Sequence, residues 1–139
     1  MSVYRARPGD GAAWVTGASA GLGRDFAILL AERGYTVFTS ARSSGELERD
    51  ALAFKGTGRL VPLPLDVTDR EAGERAVERI VREEGALSLA VFNAGNFYPV
   101  KGSALTHDVF DRSIAINLSG VTNGMLPAIE AMRKSGKGH

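Results

Sequence analysis

Thr16-Gly17-Ala18-Ser19-Ala20-Gly21-Leu22-Gly23 sets three glycines within eight residues, between an apolar run and an amphipathic one. Upstream, Ala12-Ala13-Trp14-Val15 carries no charge and suits a strand buried on both faces. Downstream, Leu22, Phe26, Leu29 and Leu30 recur at i, i+4, i+7 and i+8, which predicts the core-facing stripe of a helix. Strand, glycine turn and helix follow one another without spare residues. That order aims the orphan N–H groups and the positive dipole end of the helix at the space beyond the strand, a setting that favours a phosphate. A Cβ in such a turn obstructs both the chain reversal and a pyrophosphate. Valine at Gly17 or Gly21 is therefore expected to abolish ligand binding with modest loss of folding.

The spacing departs from the usual dinucleotide fingerprint, because Phe26 stands where a third glycine would follow Gly21 and Gly23. Nor is it a P-loop, since Arg24-Asp25 replaces the Lys-Ser/Thr pair. Taken alone, the cluster is equally readable as a structural turn.

The 139 residues suffice for one domain with a sizeable core, and 44% hydrophobic with 24% charged is ordinary for a globular chain. A net charge of +1 argues against nucleic acid or an acidic membrane surface as the main partner. Cysteine is absent, which excludes thiolate chemistry and disulfides and is compatible with a cytoplasmic setting. His107 and His139 have no clustered acids to make a zinc site, so no metal is expected. The start, Met1 to Arg7, lacks a signal-peptide core, and no apolar run reaches the length of a membrane span.

Met1 to Gly11 reads as a polar lead-in, and Gly34 closes the first helix after Arg33. Tyr35 to Ser40 is aromatic and β-branched and predicts a second strand. Ser43-x-x-Glu46 is a capping-box spelling for a helix through about Phe54, and Thr68-x-x-Glu71 is another. Between them Arg59 to Leu65 reads as extended, with Pro62 and Pro64 assigning it to a sheet edge. Ala72, Ala76, Val77, Ile80 and Val81 share one helix face, Gly85 ends that helix, and Leu87 to Phe92 is a fourth strand. After a loop from Asn96 to Ala104, Thr106 caps a helical run. Its apolar positions Ile114, Leu118, Val121, Met125, Ile129 and Met132 predict a long buried face, with a bend from Gly120 or Pro127.

Four strands alternating with helices predict an α/β fold, a parallel doubly wound (Rossmann-like) sheet of order 3-2-1-4. Residues 1–139 then form one nucleotide-binding domain that is the first half of such a sheet and slightly more. Lys137-Gly138-His139 reads as the approach to a fifth strand.

The T-G-x-x-x-G-x-G turn, Asp66-Val67 after the third strand, Asn93-Ala94-Gly95 after the fourth and the later Asn117-Leu118-Ser119-Gly120 occur in the order found in the short-chain dehydrogenase/reductase family, which this chain resembles. The resemblance spans nearly the whole chain but only about half of a family domain. It implies an oxidoreductase that passes hydride between a nicotinamide cofactor and a carbonyl or alcohol substrate, as a homo-oligomer packed through the helix from Ile114 to Met132. Cofactor contacts would come from Gly17, Ser19, Ala20, Gly21, Leu22 and Gly23, and Asn93, Ala94 and Gly95 would allow the backbone close to the ribose. Asp66 and Val67 would meet the adenine. By its residues alone, Asp66 fits an Asx turn before Thr68 equally well.

About 20 residues beyond the glycines an acid would bind the ribose 2′-hydroxyl of NAD, but Ala41-Arg42-Ser43 stands there. A guanidinium suits a 2′-phosphate, so NADP is expected in preference to NAD; a solvated surface arginine is the alternative. Asn117 matches the family asparagine that holds a water in the proton relay, and it also fits a helix-bend asparagine satisfying backbone. The family's catalytic serine and Tyr-x-x-x-Lys have no counterpart here. Tyr98-Pro99-Val100-Lys101 has the wrong spacing, and Asn96 to Pro99 reads instead as one wall of a substrate pocket. The chain is thus expected to supply a cofactor-binding half, inactive alone, or else to be a non-catalytic NADP-binding or assembly module.

Overall fold

The structure, a computed structural model, describes residues 3–139, so Met1 and Ser2 of the predicted lead-in lie outside the described residues. Four parallel strands, β1 (Ala12–Thr16), β2 (Thr36–Ser40), β3 (Arg59–Pro62) and β4 (Leu87–Phe92), form one sheet in the order β3-β2-β1-β4. The helices are α1 (Gly21–Glu32), α2 (Ser44–Ala53), α3 (Arg70–Glu84), α4 (His107–Ile114) and α5 (Gly120–Ser135), with a π-helical turn over Ala115–Ser119 joining the last two. This is the predicted Rossmann-like order.

Alternation along β1 divides the core. Ala13 and Val15 face Ala27, Leu30 and Ala31 of α1 and Leu47 of α2, whereas Ala12 and Trp14 face Ala76, Val77 and Ile80 of α3 and Ala128 of α5. Trp14 packs edge-on against Phe92 at 5.6 Å, and its indole N–H donates to buried Ser40 Oγ at 2.9 Å. Ser40 in turn donates to the Leu63 carbonyl at 2.7 Å, tying β1, β2 and the continuation of β3 together without an unsatisfied polar atom.

The predicted stripe of α1 holds at Leu30, which is buried, and is corrected at the other three positions: Leu22, Phe26 and Leu29 are 83%, 41% and 40% exposed, and the face against the sheet is completed by Gly23, Ala27 and Ala31. The long face predicted from Ile114 to Met132 is corrected in part. The sheet-facing residues of α5 are Gly120, Gly124 and Ala128. Of the predicted positions, Ile114 in α4, Leu118 in the π turn and Ile129 are substantially exposed, whereas Val121, Met125 and Met132 are half-buried and Met132 packs against the core. Small residues dominate both faces, and on α5 the reason is close approach to the sheet. A Cβ on Gly124 would lie 2.8 Å from a Phe92 ring carbon and 3.1 Å from one of Trp14.

Local signals fared better. Pro62 and Pro64 fit the edge because the N–H groups that bond inward belong to their neighbours, Leu63 to Thr39 O (2.8 Å) and Leu65 to Ala41 O (3.0 Å). Thr106 caps α4 as expected; Ser43 stands at the N-cap position of α2 but turns its hydroxyl to Glu46 rather than to a backbone N–H, and α3 is capped by Asp69, whose Oδ1 accepts from the Ala72 N–H at 3.2 Å. Thr68 does not serve because it donates its hydroxyl to Asp66 instead. The expected bend appears as the π turn immediately before Gly120 rather than at Pro127, which α5 accommodates within its span.

Beyond α5 the chain returns to the outer edge of β4. The His139 N–H donates to Ser88 O and His139 O accepts from the Ala90 N–H, both at 3.0 Å, the first rung of a fifth parallel pairing.

Two glycine-to-alanine changes should move stability in opposite directions. Gly45 in α2 has nothing within 4 Å of its Cβ position, so Gly45→Ala should stabilise by about 0.5–1 kcal/mol through helix propensity. Gly124→Ala gains the same propensity but overpacks, at about 1–3 kcal/mol, against two rings, so a net loss is expected. Urea unfolding followed by the fluorescence of Trp14 decides both, and a Gly124→Ala protein as stable as the parent would contradict the close helix–sheet contact.

Candidate functional site

All four strands end on the same side, and the loops that leave them converge on β1. The chain leaves β1 through Gly17 (φ +68°) and enters α1 through Gly21 (φ +57°), both in the left-handed region that favours glycine. The loop after β4 is fastened beside this turn by two hydrogen bonds. Asn93 Nδ2 donates to Gly17 O at 3.2 Å, and the Ala94 N–H donates to Thr16 Oγ1 at 3.1 Å. Gly23 completes the junction, since a Cβ there would collide with both Asn93 Nδ2 and Gly17 O. The α1 N-cap is Ala20, which has no side-chain acceptor, so the first N–H groups of the helix receive no side-chain cap.

A cleft of about 480 Å³ opens over this junction. Of the residues singled out from the sequence, Gly17, Ser19, Ala41, Arg42, Asp66, Val67, Ala94 and Gly95 line it together. Ala20 and Gly21 line a smaller neighbouring cleft with Ser19. Leu22 points to solvent, Gly23 is buried in the junction, Asn93 spends its amide on Gly17, and Ser43 is the N-cap of α2. Asn117 is exposed rather than buried. Its Oδ1 accepts from the Asn96 N–H at 2.8 Å and its Nδ2 donates to Asn96 O at 2.9 Å, clamping the loop after β4 onto the π turn.

Asp66 makes the Asx turn that its spelling allowed. Its Oδ1 accepts from both the N–H (2.9 Å) and the hydroxyl (2.8 Å) of Thr68, leaving Oδ2 without a protein partner among the described residues. The Thr68 backbone N–H, then its hydroxyl, and the Arg42 charge hold the Asp66 carboxyl below the usual carboxylate range. Arg42 thus lies within electrostatic reach of Asp66 inside the cleft. On α2, Ser43 Oγ donates to Glu46 Oε2 at 3.0 Å, and Glu46 Oε1 lies 3.3 Å from Arg49 Nη2. The backbone N–H of Glu46 itself, followed by the Ser43 hydroxyl, holds that carboxyl low as well.

Sequence reasoning missed Arg112, Ala115 and Ile116, which form another wall. Their i, i+3, i+4 spacing is the available signal, masked by the larger apolar residues Ile114 and Leu118 around them. Asn96 and Tyr98, read as a substrate wall, line this same cleft, while Phe97 is 80% exposed.

The two glycines of the turn respond differently to a side chain. Gly21 has nothing within 4 Å of its Cβ position, whereas a Cβ on Gly17 would sit 2.8 Å from Ala94 Cα. Gly21→Val should therefore fold, at a cost of about 1–2 kcal/mol for the left-handed backbone, yet lose nucleotide binding. Gly17→Val should lose both, which revises the modest folding cost expected for it. Thermal unfolding beside a nucleotide titration separates the two, and undiminished binding by Gly21→Val would reduce the turn to a structural one.

Comparison with known proteins agrees with this geometry. Residues 11–139 match the family model described as short chain dehydrogenase. An uncharacterised oxidoreductase of Listeria monocytogenes is 33% identical over 126 residues, covering 90% of this chain and 51% of that protein. Dehydrogenase/reductase SDR family member 7 of Mus musculus is 35% identical over 136 residues, 92% of this chain and 40% of the relative. Among solved structures, an alcohol dehydrogenase from the archaeon Thermococcus sibiricus complexed with 5-hydroxy-NADP superposes with a TM-score of 0.84 at 29% identity, over 91% of this chain and 55% of that one. A short-chain type dehydrogenase/reductase from Mycobacterium marinum gives a TM-score of 0.86 at 30% identity, over 94% of this chain and 53% of that one. The chain spans about half the length of these relatives, and it belongs to the short-chain dehydrogenase/reductase family.

Proposed function

We propose that this chain is the NADP-binding half, as one domain, of a short-chain oxidoreductase acting on a small carbonyl or alcohol substrate. The observation that carries the reading is the convergence of four separate strand ends on one cleft, with Arg42 and no acid where the second strand delivers its residue. The 5-hydroxy-NADP in the Thermococcus sibiricus enzyme supports a nicotinamide cofactor for the fold. The open space at Gly21 and the uncapped start of α1 fit a pyrophosphate. Arg42, flanked by Ala41 and Ser43, takes the 2′-phosphate by charge-assisted hydrogen bonds. Asp66 offers Oδ2 to an adenine amino group beside Val67, and the small residues Ala94 and Gly95 allow the ribose close to the backbone.

Bound NADP(H) supplies the hydride donor or acceptor. Asn117 uses one Nδ2 hydrogen and one Oδ1 lone pair on Asn96, which leaves one of each for the relay water that the family resemblance implies. No Tyr-x-x-x-Lys occurs within residues 1–139, so the chain alone binds cofactor without turning substrate over. Turnover of a carbonyl panel by this chain would contradict that part. The exposed Ile114, Leu118, Leu126 and Ile129 support a homo-oligomer. Sedimentation that finds only monomers at micromolar concentration would contradict this assembly. No helix among the described residues is long and apolar enough to cross a membrane.

Arg42→Ala tests the cofactor assignment. Affinity for NADPH should fall by roughly tenfold or more while NADH is little changed, the loss expected of a hydrogen bond to a charged group. An unchanged NADPH preference would remove Arg42 from the site.

A further inference from the structure

A second cleft, of about 460 Å³, lies between α1 and α2 and shares Ser19 with the nucleotide cleft. Ala20 and Gly21 form its near wall and contribute no charge; Glu46 and Arg49 stand across from them. The other ion pair in this cleft is closed on itself, because Arg24 grips Asp50 through both oxygens at 2.6 and 2.7 Å. Glu46 is held more loosely. It takes the hydroxyl of Ser43, the residue that follows Arg42 in the sequence, and one 3.3 Å contact from Arg49, whose side chain is 73% exposed. An internal carboxylate therefore occupies the donor beside the arginine assigned to the 2′-phosphate.

We propose that Glu46 is a specificity-determining residue of the nucleotide site: its carboxylate engages Ser43 beside Arg42 and limits, by like-charge repulsion, the preference for a 2′-phosphate over a 2′-hydroxyl, while Arg49 tempers that repulsion as its counter-ion. This rests on the NADP reading above. A 2′-phosphate brings between one and two further negative charges at neutral pH. To meet it, Ser43 turns its hydroxyl from Glu46 to the phosphate, and Glu46 relaxes onto Arg49. NADH, with a neutral hydroxyl at that position, demands neither change. The sign differs from the role of an acid at the end of the second strand, which attracts the 2′-hydroxyl; Glu46 acts only against the phosphate.

Glu46→Gln is the discriminating variant, because glutamine serves the capping position as well as glutamate and the fold should be kept. Trp14 fluorescence on thermal unfolding verifies that. NADPH should bind roughly fivefold more tightly and NADH within about twofold of the parent, and the gain should shrink at high salt. Arg49→Ala should weaken NADPH by a few-fold, and that loss should vanish in the Glu46→Gln background, since the two residues act as a pair. Equal tightening of both cofactors, weakened NADH or no change would each overturn the proposal. Arg42→Ala measured alongside separates the two claims: a selective NADPH loss there with no effect at Glu46 keeps the NADP reading and discards this one. An Arg42→Ala protein that retains its preference discards the NADP reading itself.

Discussion

The Asn93 amide bonded to the Gly17 carbonyl is the contact on which the site depends. It joins the end of β4 to the end of β1, residues separated by most of the chain, and it exists only because Gly23 leaves room for it. With the Thr16–Ala94 bond beside it, the junction fixes where α1 begins relative to the loop after β4. Asn117 extends the same fastening outward by gripping Asn96 from the π turn. The cleft is therefore framed by backbone held through short side chains, and preorganisation of this kind lets backbone N–H groups serve as ligands without reorganising.

Small residues govern the layers for a related reason. Gly23, Ala27 and Ala31 on α1, and Gly120, Gly124 and Ala128 on α5, bring helix axes close to a sheet whose strands carry Trp14 and Phe38. Strand positions were legible in the sequence because they rest on local signals: apolar runs, glycine stops, prolines at an edge. Strand order followed from the doubly wound topology, and the helical run after Thr106 reads as one element where the structure has α4 and α5 joined by a π turn. The buried faces of α1 and α5 were legible only in part. A periodicity argument weights the largest apolar residues, yet at these helix–sheet contacts most of the buried positions are glycine and alanine, with Leu30 the large residue that both criteria share. The α3 face, where Ala76, Val77 and Ile80 are both apolar and buried, was legible because there the two criteria coincide.

The site was legible to the extent that it consists of residues at strand ends. Gly17 is marked by the glycine turn and Arg42 by counting from it, while Asp66 and Ala94 are singled out by the family resemblance; all four follow strands that a parallel sheet brings to one edge. Contacts that depend on a partner elsewhere were hidden. Nothing local to Asn117 announces Asn96, and the Arg24–Asp50 clasp joins two helices through residues whose neighbours give no hint of it. Asp66 shows that two competing readings can both hold, because a carboxylate has one oxygen for the turn and another to offer.

His139 pairs with the outer edge of β4, while the candidate cleft has four strand ends at its rim. On the proposed reading, cofactor recognition is separable from the proton chemistry that the family resemblance implies. The most direct test of this account is a nuclear magnetic resonance titration of the chain with 2′-phospho-ADP-ribose, which lacks the nicotinamide. The account predicts amide shifts concentrated at Gly17, Ser19, Ala41, Arg42, Asp66, Val67, Ala94 and Gly95. Shifts confined to the groove between α3 and α5, or none at millimolar ligand, would contradict it.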